Sequence, residues 1–159
     1  MDDKSDSLML ASGAFRDGSP IPPQYSCKGQ NVSPPLVITG APKAAASLVL
    51  IMHDPDAVSG DFTHWLMWDI PVSTDVIAAN SVPVGAVQGP NGTGKNQYIG
   101  PCPPAGTGIH HYIFELYALD KTLGLPAESD RDQLEQTMAG NILARSTLTG
   151  LFEASGDPK

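Results

Sequence analysis

Residues 100–119 begin with Gly100-Pro101-Cys102-Pro103-Pro104-Ala105-Gly106-Thr107-Gly108-Ile109 and continue with His110-His111-Tyr112-Ile113-Phe114-Glu115-Leu116-Tyr117-Ala118-Leu119. Proline fixes φ and lacks a backbone N–H, so the first half can be neither a regular helix nor a central strand. The second half is rich in aromatic and apolar residues, a composition typical of strands. A stiff loop therefore carries two histidines and a tyrosine to the entrance of a strand, and binding sites are commonly built on such loops.

Strand-like runs separated by turn residues continue along the whole chain. The 159 residues include 16 glycines and 15 prolines, which are spread throughout. The candidate strands are Leu8–Phe15, Leu36–Thr39, Ser47–His53, His64–Ile70, Tyr112–Leu119 and Ser146–Phe152. This spacing predicts a mainly β fold, an antiparallel sandwich rather than a helical or βαβ protein. The length predicts a single domain over residues 1–159, with an ordered core from about residue 8 to residue 153.

One helix is expected near the C-terminus. Ser129 is predicted to cap it, with Asp132 at the reciprocal capping position. A single apolar stripe is formed by Leu134, Met138 and Ile142. After Ala144 the pattern changes to alternation, so we expect the helix to end there and a short strand, Ser146–Phe152, to follow.

The composition excludes several classes of protein. The net charge is −8, with only 9 lysines and arginines, so a nucleic-acid-binding surface is not expected. No apolar run approaches the ~20 residues that a membrane-spanning helix needs. The polar segment Met1–Ser7 lacks the pattern of a signal peptide, which favours a cytoplasmic protein. A secreted or periplasmic protein whose leader has been removed is the alternative.

Two cysteines, Cys27 and Cys102, are too few for a disulfide scaffold and form no C-x-x-C motif. We expect two free thiols in a reducing compartment. A single bridge between them is the alternative, and the sequence leaves it open.

Polar residues follow or open several of the predicted strands. Asp54-Pro55-Asp56-Ala57 comes after the most apolar strand, and His64-Trp65 opens the next one. Strand ends can be neighbours in a sandwich, so these residues can lie beside His110 and Tyr112. Together they supply a small polar cavity with aromatic walls.

Four blocks of the sequence resemble the phosphatidylethanolamine-binding protein family, most closely its bacterial and archaeal Raf-kinase-inhibitor-like branch. The blocks are Tyr25-Ser26-Cys27-x-Gly29-Gln30-Asn31-Val32-Ser33-Pro34-Pro35-Leu36, Asp54-Pro55-Asp56-Ala57 with His64-Trp65, Gly100-Pro101-Cys102-Pro103-Pro104-x-Gly106, and His110-x-Tyr112-x-Phe114-x-Leu116-Tyr117-Ala118-Leu119. Their order and spacing agree with that family over roughly residues 8–153.

The resemblance implies two antiparallel sheets with a C-terminal helix, and one anion pocket. The pocket would accept phosphate, a phosphorylethanolamine head group or a similar small anion. Its residues would be Asp54, Ala57, His64, Trp65, Pro103, Pro104, His110 and Tyr112. The family is mostly one of binding and regulatory proteins, so a kinase or protease partner and a homodimer are further expectations. No cofactor is expected.

The residue types suit an anion pocket for physical reasons. His64 and His110 can donate hydrogen bonds, and their pKa values rise beside a bound anion. The Tyr112 hydroxyl and the loop amides between Gly106 and His110 add donors. Asp54 would repel a bare phosphate, so its expected roles are to orient a histidine or to pair with an ammonium group.

Three departures from the family pattern predict weaker phosphate binding or a more apolar ligand. Val58 replaces a proline, His111 replaces an arginine, and Phe152 stands where a tyrosine is usual. His53 is also unusual. We expect His53 and His111 to be structural or exposed rather than part of the pocket.

Two other functions use the same residues. The chain could be an inhibitory module that binds a kinase or protease. It could also be a small-molecule enzyme with His110 or Asp54 as general base and Tyr112 as acid. A nucleophilic Cys102–His110 pair and a metal site are less favoured: the cysteine is expected to be a packed thiol, and adjacent histidines in a strand diverge.

Overall fold

A computed structural model describes residues 7–154 of the chain. Its strands are β1 (Met9–Ala11), β2 (Ser19–Pro20), β3 (Leu36–Thr39), β4 (Ser47–Asp54), β5 (Phe62–Ile70), β6 (Val76–Ile77), β7 (Val87–Gly89), β8 (His110–Leu119) and β9 (Ile142–Phe152). A 3₁₀ helix covers Pro23–Tyr25, and one α-helix, α1, covers Arg131–Met138. The predicted mainly β fold, with two sheets and a C-terminal helix followed by a strand, is confirmed.

Strand β4 lies at the centre of the larger sheet, whose order is β2-β9-β8-β4-β5-β7. Every residue of β4 is buried, because the small sheet β1-β3-β6 covers one face and helix α1 covers the other. Leu50 and Met52 face the small sheet, whereas Val49 and Ile51 face the helix. The unbroken apolar run in the sequence is therefore that of a strand enclosed on both faces.

The two tryptophans of β5 belong to opposite cores, as their spacing predicts. Trp65 packs with the core under the small sheet, and Trp68 packs with the core under α1. The Trp68 indole N–H donates to the carbonyl oxygen of Leu125 at 3.2 Å, so its polar atom is satisfied inside the second core.

Helix α1 is shorter than predicted and is capped by a different residue. Asp130, not Ser129, accepts a hydrogen bond from the Gln133 backbone N–H at 2.9 Å. The Asp130 backbone N–H donates in return to Oε1 of Gln133, again at 2.9 Å, which completes a capping box. The helix ends at Met138 because Gly140 has φ of +85°, a left-handed conformation that stops a helix.

Of the predicted strands, only β3 has the predicted bounds; β4 also includes Asp54, and β5 and β8 each begin two residues earlier, at Phe62 and His110. Strand β9 starts at Ile142 rather than at Ser146, because pairing along β8 extends over its whole length. The predicted Leu8–Phe15 strand is confined to Met9–Ala11, where it pairs with β3. The short strands β2, β6 and β7 were not predicted, because two or three residues show no hydrophobic period. Strand β2 pairs with β9 in parallel.

The sheet brings the predicted polar residues to one edge. Strand β4 runs antiparallel to both β5 and β8, so its last residue, Asp54, lies beside the first residues of both neighbours. No helix within residues 7–154 is long and apolar enough to cross a membrane.

Candidate functional site

A cavity of about 310 Å³ opens at this edge of the larger sheet, and we call it the Asp54 cavity. All predicted site residues except Trp65 line it, namely Asp54, Ala57, His64, Pro103, Pro104, His110 and Tyr112. The sequence did not point to the remaining wall residues Ser59, Phe62, Ile99 and Gly100, which come from loops and strand ends. The walls are mostly apolar, so the few polar groups determine what the cavity can bind.

The most deeply buried polar pair is Asp54 with His110, with exposed fractions of 3% and 2%. Nδ1 of His110 lies 2.7 Å from Oδ2 of Asp54. Nε2 lies 2.9 Å from the hydroxyl oxygen of Thr107, whose hydrogen is donated to the carbonyl oxygen of Pro104 at 2.7 Å. Both ring nitrogens of His110 thus face acceptors, an arrangement that a doubly protonated imidazolium satisfies.

Asp54 is already engaged by two donors. Its Oδ1 accepts the backbone N–H of Asp56 at 2.8 Å, while its Oδ2 accepts from His110. The Tyr112 hydroxyl lies near this carboxylate, and its pKa responds to the negative charge. Of the two roles expected for Asp54, the contacts show the orientation of a histidine.

Tyr112 links the two cavity histidines. Its ring stacks on His110 at 6.3 Å between centroids and meets His64 edge-on at 5.2 Å. Burial raises the pKa of Tyr112 well above its ordinary value, and the negative charge of Asp54 raises it further. The hydroxyl therefore keeps its proton at neutral pH and acts as a donor.

His64 reaches the cavity through a β-bulge. Met52 pairs with Trp65 and His53 pairs with Thr63, so His64 is the extra residue of β5 at this point. Bulges re-aim a side chain that regular alternation would place elsewhere. Nothing in the sequence marks the bulge, because it depends on the register between two strands.

The free nitrogen of His64 is an acceptor at neutral pH. Nδ1 donates to the carbonyl oxygen of Ile99 at 2.6 Å, which leaves Nε2 without a proton in the neutral ring. Burial lowers the pKa of His64 below its ordinary value, outweighing the hydrogen bond to Ile99 and the charge of Asp54. A ligand must therefore bring a proton to this nitrogen, or the ring must take one up.

The Pro/Gly loop contributes apolar surface rather than donors. Pro103 and Pro104 line the cavity and have no N–H to offer. The amides between Gly106 and His110, which we expected to bind an anion, belong to residues that lie outside the cavity lining.

The two cysteines are joined, which corrects the prediction of free thiols. Sγ of Cys27 bonds to Sγ of Cys102, and the bridge spans 75 residues of sequence. Cys102 is itself part of the cavity wall. The bridge rules out the nucleophilic Cys102–His110 pair, and it ties the proline loop to the segment around Tyr25.

That segment approaches the loop so closely that only glycine fits at position 100. A Cβ on Gly100 would overlap the carbonyl oxygen of Tyr25 and the side-chain oxygen of Asn31. The Gly100 N–H donates to that Asn31 oxygen at 2.8 Å, and the Tyr98 hydroxyl donates to the Tyr25 carbonyl oxygen at 2.7 Å. The cavity wall is therefore fixed by hydrogen bonds as well as by the disulfide.

Trp65 does not wall the Asp54 cavity, contrary to its prediction. It lies in a neighbouring polar cavity, where its indole N–H donates to Oε1 of Gln88 at 2.8 Å. Adjacency to His64 in sequence suggested a shared cavity, but the Trp65 indole packs in the core under the small sheet and lines the neighbouring cavity.

Of the three departures from the family pattern, only Val58 lies in the cavity wall. His111 is exposed and bonds to Oδ2 of Asp56 through both its backbone N–H (2.8 Å) and Nδ1 (2.7 Å). Those two hydrogen bonds lower the pKa of Asp56. Phe152 belongs to a separate apolar groove beside Ile21 and Ile109.

His53 sits in a buried ionic network on the opposite face of β4. Nδ1 lies 2.7 Å from Asp61 and Nε2 lies 2.9 Å from Glu115. Arg131 binds the other oxygen of Asp61 at 3.0 Å, so the network reaches helix α1. The expected structural role of His53 fits these contacts, although the side chain is buried rather than exposed.

The two carboxylates shift the titration of His53. Burial alone would lower its pKa and Arg131 opposes protonation, but hydrogen bonds to Glu115 and Asp61 outweigh both and raise it above 6.5. The bond to His53 in turn lowers the pKa of Glu115 to about 2, helped by the Tyr117 hydroxyl and the charge of Arg145. The carboxylates at both ring nitrogens therefore favour the imidazolium form of His53.

We expect His53→Gln to lower the free energy of unfolding by about 1–3 kcal/mol, because the half-buried Glu115 and the exposed Asp61 lose their hydrogen-bonded partner. A raised pKa in the folded state means that the stabilisation is complete below pH 6.5 and disappears as the pH rises through the folded value. Urea unfolding at a series of pH values measures this. The wild type should lose stability above neutrality and the variant should lack that slope; parallel curves would contradict the assignment.

Comparisons with known proteins add evidence on the family of this chain. The phosphatidylethanolamine-binding protein family model matches residues 11–153. The chain belongs to this family. Among its family relatives, the UPF0098 protein PH1269 of Pyrococcus horikoshii is 42% identical over 151 residues, covering 91% of this chain and 76% of PH1269. LppC of Mycobacterium tuberculosis, a candidate lipoprotein by its name, is 44% identical over 149 residues. The match covers 94% of this chain and 74% of LppC.

Solved structures of the family agree with the fold. The homologue CT736 of Chlamydia trachomatis has a TM-score of 0.89 at 37% identity, covering 94% of this chain and 99% of CT736. YbcL of Escherichia coli has a TM-score of 0.87 at 26% identity with the same coverage. A carboxypeptidase Y inhibitor solved with its proteinase shares the fold alone, with a TM-score of 0.59 at 17% identity.

Proposed function

We propose that this family member binds a small phosphate-type anion in the Asp54 cavity. The observation that carries the proposal is the pairing of a buried His110–Asp54 couple with an uncommitted ring nitrogen on His64, all within one cavity of about 310 Å³. The apolar walls exclude water and strengthen every electrostatic contact with a ligand. An anion that enters this space contacts His64 and is attracted by His110 in its protonated form.

The hydrogen-bond pattern selects the protonation state of the ligand. The hydrogens of His110 are already donated, and the Tyr112 hydroxyl lies near the Asp54 carboxylate. Nε2 of His64 is an acceptor in the neutral ring. A monoanion that retains an O–H can donate to this nitrogen, whereas a dianion requires protonation of His64 first. Both routes place one proton between His64 and the ligand.

The head group of a lipid and free phosphate share this chemistry. The ammonium of phosphorylethanolamine has little to gain, since both oxygens of the Asp54 carboxylate already accept hydrogen bonds, from Asp56 and from His110. We therefore expect O-phosphorylethanolamine and phosphate to bind within about threefold of one another, a difference of under 1 kcal/mol. A much tighter complex with phosphorylethanolamine would identify a partner for its ammonium outside Asp54.

A titration followed by histidine NMR tests the proposal. Phosphate should shift the ring signals of His64 and His110, and its affinity should fall by up to about tenfold per pH unit as the pH rises from about 6 to 8. Sulfate, a dianion of similar size that carries no proton in this range, should bind more weakly than phosphate. Unmoved His64 and His110 signals at millimolar phosphate would overturn the proposal.

Two variants separate the site from general effects. His64→Gln should remove phosphate binding, while the exposed His111→Gln should retain it within about twofold, since His111 lies outside the cavity lining. Loss of binding in both would show that anions associate with any histidine. Turnover of a substrate that depends on His110 would instead favour the enzyme, and a protein partner whose binding survives His64→Gln would favour the inhibitory module.

We also propose that the chain functions in an oxidising compartment. The Cys27–Cys102 bridge supports this, because disulfides persist outside reducing cytosol. The expectation of a cytoplasmic protein depended on free thiols and on the polar segment Met1–Ser7, of which only Ser7 lies within the described residues.

A further inference from the structure

A second polar cavity, of about 250 Å³, lies beside the Asp54 cavity, and we call it the amide cavity. Its floor includes the rings of Trp65 and Tyr98, which meet edge-on at 5.3 Å between centroids. Its walls carry side-chain amides from Asn31, Gln88 and Gln97. None of the described residues that line it is charged. The cavity is therefore different in character from the histidine-lined site.

Two of these amides have a fixed orientation. The Asn31 side-chain oxygen accepts the Gly100 N–H at 2.8 Å, and the Gln88 side-chain oxygen accepts the Trp65 indole N–H at 2.8 Å. An amide whose oxygen is engaged internally offers its NH₂ group to its surroundings. Both residues line the cavity, so its fixed polar groups are hydrogen-bond donors.

Ser33 adds a buried hydroxyl to the same cavity. Its exposed fraction is 4%, and its side chain has no hydrogen-bond partner among residues 7–154. The backbone carbonyl oxygen of Ser33 accepts the Asn80 N–H at 2.9 Å, which holds the residue in place. Buried hydroxyls without a partner are rare in folded proteins, and each requires an explanation. A ligand whose acceptor atom reaches the Ser33 hydroxyl provides such an explanation.

The chemistry of the walls restricts the ligand. Fixed NH₂ donors require an acceptor, and carbonyl oxygens are strong acceptors. A carboxylate or phosphate would enter without a compensating cation, in a protein whose net charge is −8. We propose that the amide cavity binds a small uncharged ligand through a carbonyl oxygen, that is, through an amide or N-acyl group.

Acetamide and acetate form a matched pair of probes, with the same shape but different charge. The two tryptophan indole N–H signals report on binding, because Trp65 donates to the cavity residue Gln88 and Trp68 donates to Leu125 in the other core. Up to about 100 mM, a concentration suited to a four-atom fragment, acetamide should shift the Trp65 and Gln88 signals and leave Trp68 unmoved. Acetate should leave all of these signals unmoved.

Isosteric variants test which atoms bind. Gln88→Glu and Asn31→Asp keep the oxygen that accepts from Trp65 or Gly100 but lose the NH₂ donors. Each should weaken acetamide binding by at least about tenfold, since the carboxylate oxygen that replaces the NH₂ group then faces the carbonyl oxygen of acetamide. Gln30→Glu adds the same charge at an exposed position outside the cavity lining and should retain binding within about twofold.

Three outcomes would overturn the proposal. The first is unmoved Trp65 and Gln88 signals in acetamide, and the second is an equal shift of these signals in acetate. The third is wild-type acetamide binding by both Gln88→Glu and Asn31→Asp. Because these signals belong to a different cavity from His64 and His110, failure here is distinguishable from failure of phosphate binding.

Discussion

Replacing Cys27 and Cys102 together with alanine is expected to lower the free energy of unfolding by about 4 kcal/mol, because the bridge closes a loop across 75 residues. A loop of that length loses much conformational entropy in the unfolded chain when it is cross-linked. This loss is a large share of the ~5–15 kcal/mol that stabilises a typical domain. Urea unfolding under non-reducing conditions measures it.

Reductant supplies the control for this prediction. The wild type in reductant should unfold at the same urea concentration as the alanine variant, and the variant should not respond to reductant. A difference below about 1 kcal/mol between the oxidised wild type and the variant would contradict the prediction. Alkylation of protein isolated without reductant then tests the compartment, since a bridged protein offers neither Cys27 nor Cys102 for reaction.

Removing His110 is expected to lower the free energy of unfolding as well as the affinity for phosphate. His110→Leu leaves the buried Asp54 carboxylate without the imidazole that pairs with it, at a cost of about 3–5 kcal/mol. The hydrogen bond from the Asp56 backbone N–H remains, but it brings no full charge. The double variant Asp54→Asn/His110→Leu should recover part of the loss, because no isolated charge is then buried.

A double-mutant cycle on these two residues measures the coupling directly. We expect the sum of the two single losses of unfolding free energy to exceed the loss in the double variant by at least about 1 kcal/mol. Additive effects would show that the pair is not coupled. Phosphate binding should be lost in His110→Leu and in the double variant alike, since both lack the His110 imidazole inside the cavity.

The parts of the fold that the sequence predicted are those with a local cause. Strand β3 has the predicted bounds because turn residues flank its alternating side chains. Strand β4 was recognisable from its unbroken apolar run, which the enclosed position in the sheet requires. The cluster of Asp54, His64, His110 and Tyr112 followed from family motifs at strand ends.

The parts that were missed depend on contacts between distant residues. The bulge at His64 exists only in the register between β4 and β5, and the bridge requires Cys27 to meet Cys102. His53 is buried only because Asp61 and Glu115 surround it. Such pairings have no period or motif, so a single sequence contains no signal for them.

The pairing of β2 with β9 has a consequence for synthesis. Ser19–Pro20 lies parallel to Gly150–Leu151, so an early segment of the chain can pair in the sheet only after a segment that is synthesised much later has emerged. Until then, β8 lacks its β9 neighbour and has an unpaired edge, which favours association with other chains. Folding dominated by such distant pairings is slow. Newly made chains should therefore need chaperone protection until residue 152 has emerged.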